Sequence, residues 1–228
     1  MPIRFLRGIA LLIAISLPLC CCSRAQDGGQ NAEIVEGVYL LKGFKTGMGG
    51  MRLPTWRPYL LLKDGTAYES PKLAPDSFDV ALSRQNEASR WGTWTKQGDG
   101  VALNMPSHSS TIASDQHMQP AAAGMTLQGS YKHMGGGGDI ASGGHTSFIR
   151  SDSYRFSPDG RFSSGSNSGL IASRVMGEAS NGVRTGHYRI HDYSIDLRYD
   201  DGSEAHLFFY TDGKKLLHIG DADYVPAN

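Results

Sequence analysis

Eight histidines, twenty-two carboxylates and a serine-rich middle segment could supply metal ligands, general bases and nucleophiles, so their spacing decides which chemistry is open to this chain. A zinc site needs three or four converging ligands. His187, Arg189 and His191 instead alternate with Tyr188 and Ile190, which reads as the solvated face of a strand. Asp139 and His145 flank a glycine-rich segment, His108 and His117 stand in an irregular one, and none of these spacings matches a metal pattern. Gly165-Ser-Asn-Ser-Gly169 has the look of a nucleophile elbow but sets its serines at the wrong positions. Asp192, Asp196 and Asp200 fall on strand and turn positions where solvent-facing charge is expected, not a paired acid and base. Gly43 to Met51 and Gly135 to Gly144 could cradle phosphate through backbone N–H groups, but neither carries the Lys-Ser/Thr of a P-loop. They read as rim loops able to act as lids. No catalytic residue, metal site or cofactor is assigned, which favours a non-catalytic protein.

The aromatic residues carry a different possibility. Trp56, Tyr59, Trp91, Trp94, Tyr154 and Tyr188, with Tyr131, Phe156 and Tyr199, fall in or beside strand-like runs. In a barrel of eight or more strands such residues either fill the interior or line a cup for a small apolar ligand. The first six are the candidate ligand-binding residues.

The elements that must position them come in two copies. Gly37-Val-Tyr39 recurs as Gly129-Ser-Tyr131, Tyr59 to Gly65 as Tyr154 to Gly160, and Gly92-Thr-Trp94 as Gly186-His-Tyr188. Val101, Leu103 and Met105 match Ile195, Leu197 and Tyr199 without a gap, at the offset of 94 residues that relates Trp94 to Tyr188. A doubled β-unit must stack or close its halves to bury the apolar face that each exposes alone. Asp64-Gly65, Asp99-Gly100, Asp159-Gly160, Asp201-Gly202 and Asp212-Gly213 each lie between strand-like runs, as type I′ hairpin turns would. Helical spacing is confined to Asp76 to Arg90 and Leu170 to Ser180, which predicts one or two short helices. The expected fold is therefore mainly β: an antiparallel meander of two tandem repeats closing into one barrel. Its divisions are a signal peptide at 1–25, a disordered spacer at 26–33, the first repeat at 34–105, an irregular connection at 106–127, and the second repeat with a terminal hairpin at 128–228.

Arg4 and Arg7 before an apolar run from Gly8 to Ile15, with small residues at Ser23 and Ala25, read as a leader cleaved after Ala25. The alternative is a lipoprotein leader, with a lipid anchor on Cys20. Cys20, Cys21 and Cys22 are the only cysteines, so cleavage after Ala25 leaves no thiol or disulfide chemistry. The leader removes Arg4, Arg7 and Arg24 and no acid, which leaves the mature chain three charges negative. No basic stripe runs along the sequence, so neither nucleic acid nor an anionic membrane surface is an expected partner.

Gly186-His-Tyr188-Arg-Ile190, then Tyr193 to Gly202, Leu207-Phe-Phe209 and Ile219-Gly220 before Tyr224, resembles exported bacterial proteins with lipocalin-like or calycin-like β-barrels. The resemblance covers roughly the last 75 residues and implies an antiparallel barrel that holds a small apolar ligand. The expected function is thus an exported, periplasmic or secreted barrel that binds a small apolar ligand or a cell-envelope component. The alternative is a structural or protein-interaction protein of the envelope, and the third reading is a hydrolase whose site is assembled from distant segments.

Overall fold

The computed structural model describes residues 34–46, 52–138, 146–172, 175–213 and 215–227. The leader, the spacer, all three cysteines, Asp139 and His145 lie outside the described residues. In the first half, β1 (Val35–Thr46), β2 (Arg52–Leu62), β3 (Thr66–Glu69), β4 (Trp91–Gln97), β5 (Gly100–Met105), β6 (His108–Ile112) and β7 (His117–Met118) form one antiparallel sheet. Its order is β6-β5-β4-β3-β2-β1-β7, and it curls into a half-barrel. In the second half, β8 (Gly129–Gly138), β9 (Thr146–Phe156), β10 (Arg161–Ala172), β11 (Val175–His191), β12 (Ser194–Tyr199), β13 (Glu204–Thr211), β14 (Leu217–Ile219) and β15 (Ala222–Pro226) close into an eight-stranded barrel.

The fold is mainly β and antiparallel, as the sequence predicts, but the barrel closes within the second repeat instead of between the halves. The reason lies in the last strands. The terminal hairpin of β14 and β15 returns the chain to β8, pairing Val225 with Lys132. The first half has only β7, which adds to β1 through Met118 and His117 and does not pair with β6. The stretch 106–127, expected to be irregular, contains β6, which occupies the place that β13 holds in the second copy.

Strand register preserves the duplication. Tyr39 pairs with Tyr59, and Tyr131 with Tyr154. Leu61 pairs with Ala67, and Phe156 with Phe162. Trp94 pairs with Leu103 and Tyr188 with Leu197, while Leu103 meets Ser110 and Leu197 meets Ala205. Six strands of each copy thus share one pairing scheme, and a slip of one residue would have turned every side chain to the other face. The turns also coincide. Gly65 and Gly160 both have φ of 83°, and each carbonyl accepts from the N–H of Trp94 or Tyr188, at 2.9 and 2.8 Å. In Asp64-Gly65 and Asp159-Gly160 only the glycine takes positive φ. The preceding Asp64 and Asp159 instead accept from the N–H two residues on, at 3.0 and 3.1 Å, so these are Asx-stabilised turns and not type I′.

Between equivalent strand ends the copies diverge. In the first, residues 70–90 contain the helix α1 (Val80–Asn86), capped by the Asp79 carboxylate accepting from Leu82 N at 2.9 Å. In the second, residues 165–172 and 175–184 continue β10 and β11, so the described part of the helix expected over Leu170 to Ser180 is strand; Ser173 and Arg174 lie outside the described residues. The local helix formers there are overridden by the ladder, which pairs Leu170 with Gly177 and Ala172 with Val175. Gly43 to Thr46 and Gly135 to Gly138, expected in rim loops, likewise belong to strands β1 and β8.

Three apolar clusters follow from this layout. Phe156, Phe162, Tyr188, Ile190, Ile195, Leu197, Phe209 and Ile219 fill the barrel. Tyr59, Leu61, Ala67, Val101 and Leu103 are their counterparts inside the half-barrel. The opposite face of the first sheet, with Val38, Leu40, Leu60 and Tyr68, packs on Tyr193, Phe208 and Tyr210 from the barrel's outer wall. Phe78 and Trp91 join this seam, and the Trp91 indole N–H donates to the buried Ser83 hydroxyl at 3.1 Å.

Candidate functional site: the mouth of the barrel

β8 to β11 run well past the barrel's closure, because β12 pairs with β11 only from Gly186 to His191. The four long strands form a wall on one side of an open cavity of about 490 Å³. Side chains facing it recur every second residue. Along β9 they are Tyr154, Asp152 and Arg150, and along β10 Ser164 and Ser166, with Phe156 and Phe162 continuing the same face down into the barrel core. The inner surface therefore grades from an aromatic floor, through Tyr154, Tyr199 and Tyr224, to charged groups at the rim.

The polar groups hold one another in place. Arg150 Nε donates to both carboxylate oxygens of Asp152, at 3.1 and 2.8 Å, and the Asp152 side chain is only 16 % exposed. The Arg184 guanidinium lies 3.6 Å over the Tyr199 ring, a cation–π contact, and donates to Asp201 at 2.9 Å. His133 Nδ1 stands 2.9 Å from the Asp223 carbonyl oxygen, which can only accept, so Nδ1 is the donor in this contact. Tyr154 meets Tyr224 edge to face at 5.2 Å. Burial, then the neighbouring tyrosines, pushes the Tyr154 phenol well above its ordinary value, and burial does the same to Tyr224. Both remain neutral hydroxyls, able to donate and accept.

Asp201 fixes the outer end of Arg184. The hydroxyl and N–H of Ser203, followed by Arg184, hold its carboxyl down at about 2. Because the folded value lies below the unfolded one, this contact's contribution is complete above the ordinary value of 3.8 and is lost as pH falls through about 2. The Asp201 carboxyl carbon, followed by NMR, is expected to titrate near 2. In Ser203→Ala it should move up towards 3.8; an unchanged midpoint would contradict the assignment of cause.

The six expected ligand-binding aromatics do not converge. Tyr154 alone lines the cavity, half-buried. Tyr188 is buried below it in the barrel core, its hydroxyl accepting from Leu127 N at 2.7 Å. Tyr59 and half-buried Trp94 belong to the half-barrel core, and Trp91 to the seam between the halves. Trp56 is exposed on the β1–β2 hairpin. The charged and imidazole groups of the cavity, His133, Arg150, Asp152, Arg184 and Asp221, were not singled out from sequence, whereas Tyr199 stood in the wider aromatic set. A period-two reading outward from Phe156 would have found Asp152 and Arg150.

Other polar clusters stand outside the cavity. His191, Asp196 and His206 form a chain on the outer wall that reaches Asp76 of the first half at 3.1 Å. Buried His218 faces the Asp223 carboxylate with Nδ1, at 2.6 Å, and the Gly220 carbonyl with Nε2, at 3.0 Å. Among the described residues, no histidine joins a carboxylate on one ring nitrogen to a serine hydroxyl on the other. No three metal-ligating side chains converge among them either. His187 and Arg189 are exposed on the outer wall, as their alternation with Tyr188 and Ile190 predicts. No protein-family model, curated protein or solved structure matches this chain.

Proposed function

We propose that this protein is an exported, non-catalytic β-barrel that binds a small ligand in the open mouth of its barrel. The observation that carries this reading is the 490 Å³ cavity, of a size usual for ligand sites, with an aromatic floor and ordered polar walls. Arg150 and Arg184 are balanced by Asp152 and Asp221, so the lining has no excess of either sign. A ligand with an apolar body and polar ends matches the gradient from Phe156 to Arg150. A wholly apolar one would bury Asp152 and its guanidinium partner against hydrocarbon, which is costly. The leader-like N-terminus supports a periplasmic or secreted site of action, with the protein free or held by a lipid on Cys20. The resemblance to exported lipocalin-like barrels supports the same container role.

A thermal-shift titration with small amphiphiles, including fatty acids, aryl acids and alkyl glycosides, tests the reading. At least one class is expected to raise the melting temperature. Asp152→Asn and Tyr154→Phe should each weaken that ligand about tenfold, the loss of one well-placed polar contact. No shift with any class, or a shift unaffected by both changes, would exclude the mouth as the site.

A further inference from the structure

Outward from Leu40 and Pro58, β1 and β2 pair only with each other, so the hairpin leaves the sheet as a two-stranded arm. At ~3.3 Å per residue its six paired positions on each strand project roughly 20 Å. An isolated hairpin gains little stability alone. Its surface is nevertheless apolar and aromatic on one face. Lys42 and Phe44 stand opposite Trp56 and Pro54 across the strands, and the Arg52 guanidinium lies 4.5 Å over the Phe44 ring. Phe44 is 63 % exposed and Trp56 36 %. This face continues the stripe of Val38, Leu40, Leu60 and Leu62, which is buried on the barrel wall. The apolar stripe therefore runs out of the core and onto open surface.

The arm is also strongly basic. From Gly37 to Lys63 the chain has no acidic residue, while Lys42, Lys45, Arg52 and Arg57 lie on the two arm strands. Arg57 is paired with Glu69 at 3.1 Å, and Lys42 stands 3.9 Å from Asp115. Among the described residues, Lys45 and Arg52 have no acidic partner. In the linear sequence these cations are spread over two segments; the strand register sets Lys42 and Arg52 on the face of Phe44 and Trp56, and Lys45 and Arg57 on the opposite face, so that cations flank the aromatic patch from both sides of the arm.

We propose that the β1–β2 arm docks this protein on an anionic lipid surface, Trp56 and Phe44 entering the headgroup layer and Lys45 and Arg52 meeting lipid phosphates. Tryptophan and phenylalanine flanked by cations match that boundary, where an indole finds both apolar chain and polar headgroup and basic residues find anionic charge. An exposed aromatic patch rimmed by charge is the mark of such a contact. The inference is independent of what the barrel mouth binds.

Co-sedimentation with vesicles tests it, using phosphatidylcholine alone and phosphatidylcholine with a minority of phosphatidylglycerol. All proteins carry Cys20→Ser, Cys21→Ser and Cys22→Ser, so that no attached lipid contributes. The parent protein is expected to sediment with the anionic vesicles, less so at high salt, with a blue shift of tryptophan emission. Phe44→Ser with Trp56→Ser, and separately Lys45→Glu with Arg52→Glu, should each reduce binding about tenfold or more. Leu82→Ser, an exposed apolar residue on α1, should leave it unchanged. All four arm positions are exposed, so unaltered circular dichroism is expected and separates lost binding from lost fold. Absence of vesicle binding, equal binding to uncharged vesicles, or binding that survives both arm variants would overturn the proposal; the last two would point to a contact elsewhere on the chain.

Discussion

Tyr188→Ala is expected to lower the stability of the protein by about 4 kcal/mol, at the upper part of the range for deleting a core aromatic. The ring is 7 % exposed and packs edge to face on Phe156 at 5.0 Å. Its hydroxyl accepts from Leu127 N at 2.7 Å and lies within donating distance of the carbonyls of Ser157 and Leu127, at 3.0 and 3.1 Å. Truncation therefore opens a cavity and strands a buried N–H, and the two losses add. Tyr188→Phe isolates the second part, at about 1–2 kcal/mol. The equivalent Trp94 donates from its indole N–H to the Leu62 carbonyl at 2.8 Å, the position matching Ser157, but it is only half-buried. Trp94→Ala should cost less, about 2 kcal/mol. His187→Ala and Arg189→Ala, on the exposed face of the same strand, should cost under ~0.5 kcal/mol. Urea unfolding of the five variants checks the order; a Tyr188→Ala cost near that of Arg189→Ala would contradict the barrel core as described.

Gly186→Ala is expected to be comparably severe, about 3 kcal/mol or more, for a different reason. A Cβ there would lie 2.2 Å from the Arg198 carbonyl oxygen and 2.8 Å from Tyr199 Cα, both backbone atoms of the neighbouring strand. Neither can step aside without breaking the β11–β12 ladder. Gly92 is in the same position in the first copy, where a Cβ would lie 2.4 Å from the Asn104 carbonyl oxygen. Gly92→Ala should therefore be destabilising to a similar degree. Gly182→Ala provides the contrast, since nothing lies within 4 Å of its added methyl group. Thermal melts of all three give the comparison, and a tolerated Gly186→Ala would mean that the strands sit farther apart than their register requires.

Much of the fold was legible because strand signals are local. Alternation placed Val101, Leu103 and Met105 on one face, and the match at 94 residues carried that face to Ile195, Leu197 and Tyr199. What was not local was less legible. Glu87-Ala88-Ser89, just after α1, has a look-alike at Glu178-Ala179-Ser180, yet the first segment is helix-bearing and the second lies in strand β11. Asp79 and buried Phe78 set the first, with Phe78 resting 4.8 Å from Tyr68. The second has neither, and its pairing with β10 decides the outcome. Closure was also hidden, since it depends on whether a late hairpin reaches β8 and not on any residue's own preference. The candidate site suffered most. Its aromatic floor was visible, but the charged rim lies on strand extensions whose inward positions can be counted only once the barrel's end is known. The arm cations were missed for a related reason, being distant in sequence and adjacent only after pairing.

The divergence of residues 70–90 from 165–184 also gives the duplication a functional reading. In the first copy the segment folds over the sheet and seals the seam through Phe78 and Trp91. In the second it lengthens β10 and β11, and so brings Ser166 and Arg184 to the cavity. One copy packs as a buttress against the barrel wall, and the other extends into the wall of an open cavity.

Native mass spectrometry of the protein purified from its own host, under conditions that preserve non-covalent complexes, tests the container directly. The expected result is a mass above that of the processed chain by one small molecule, which dissociates on activation and is absent or reduced in Asp152→Asn. A chain that arrives only at its own mass, and that takes up no amphiphile when challenged in solution, would contradict ligand binding in the barrel mouth.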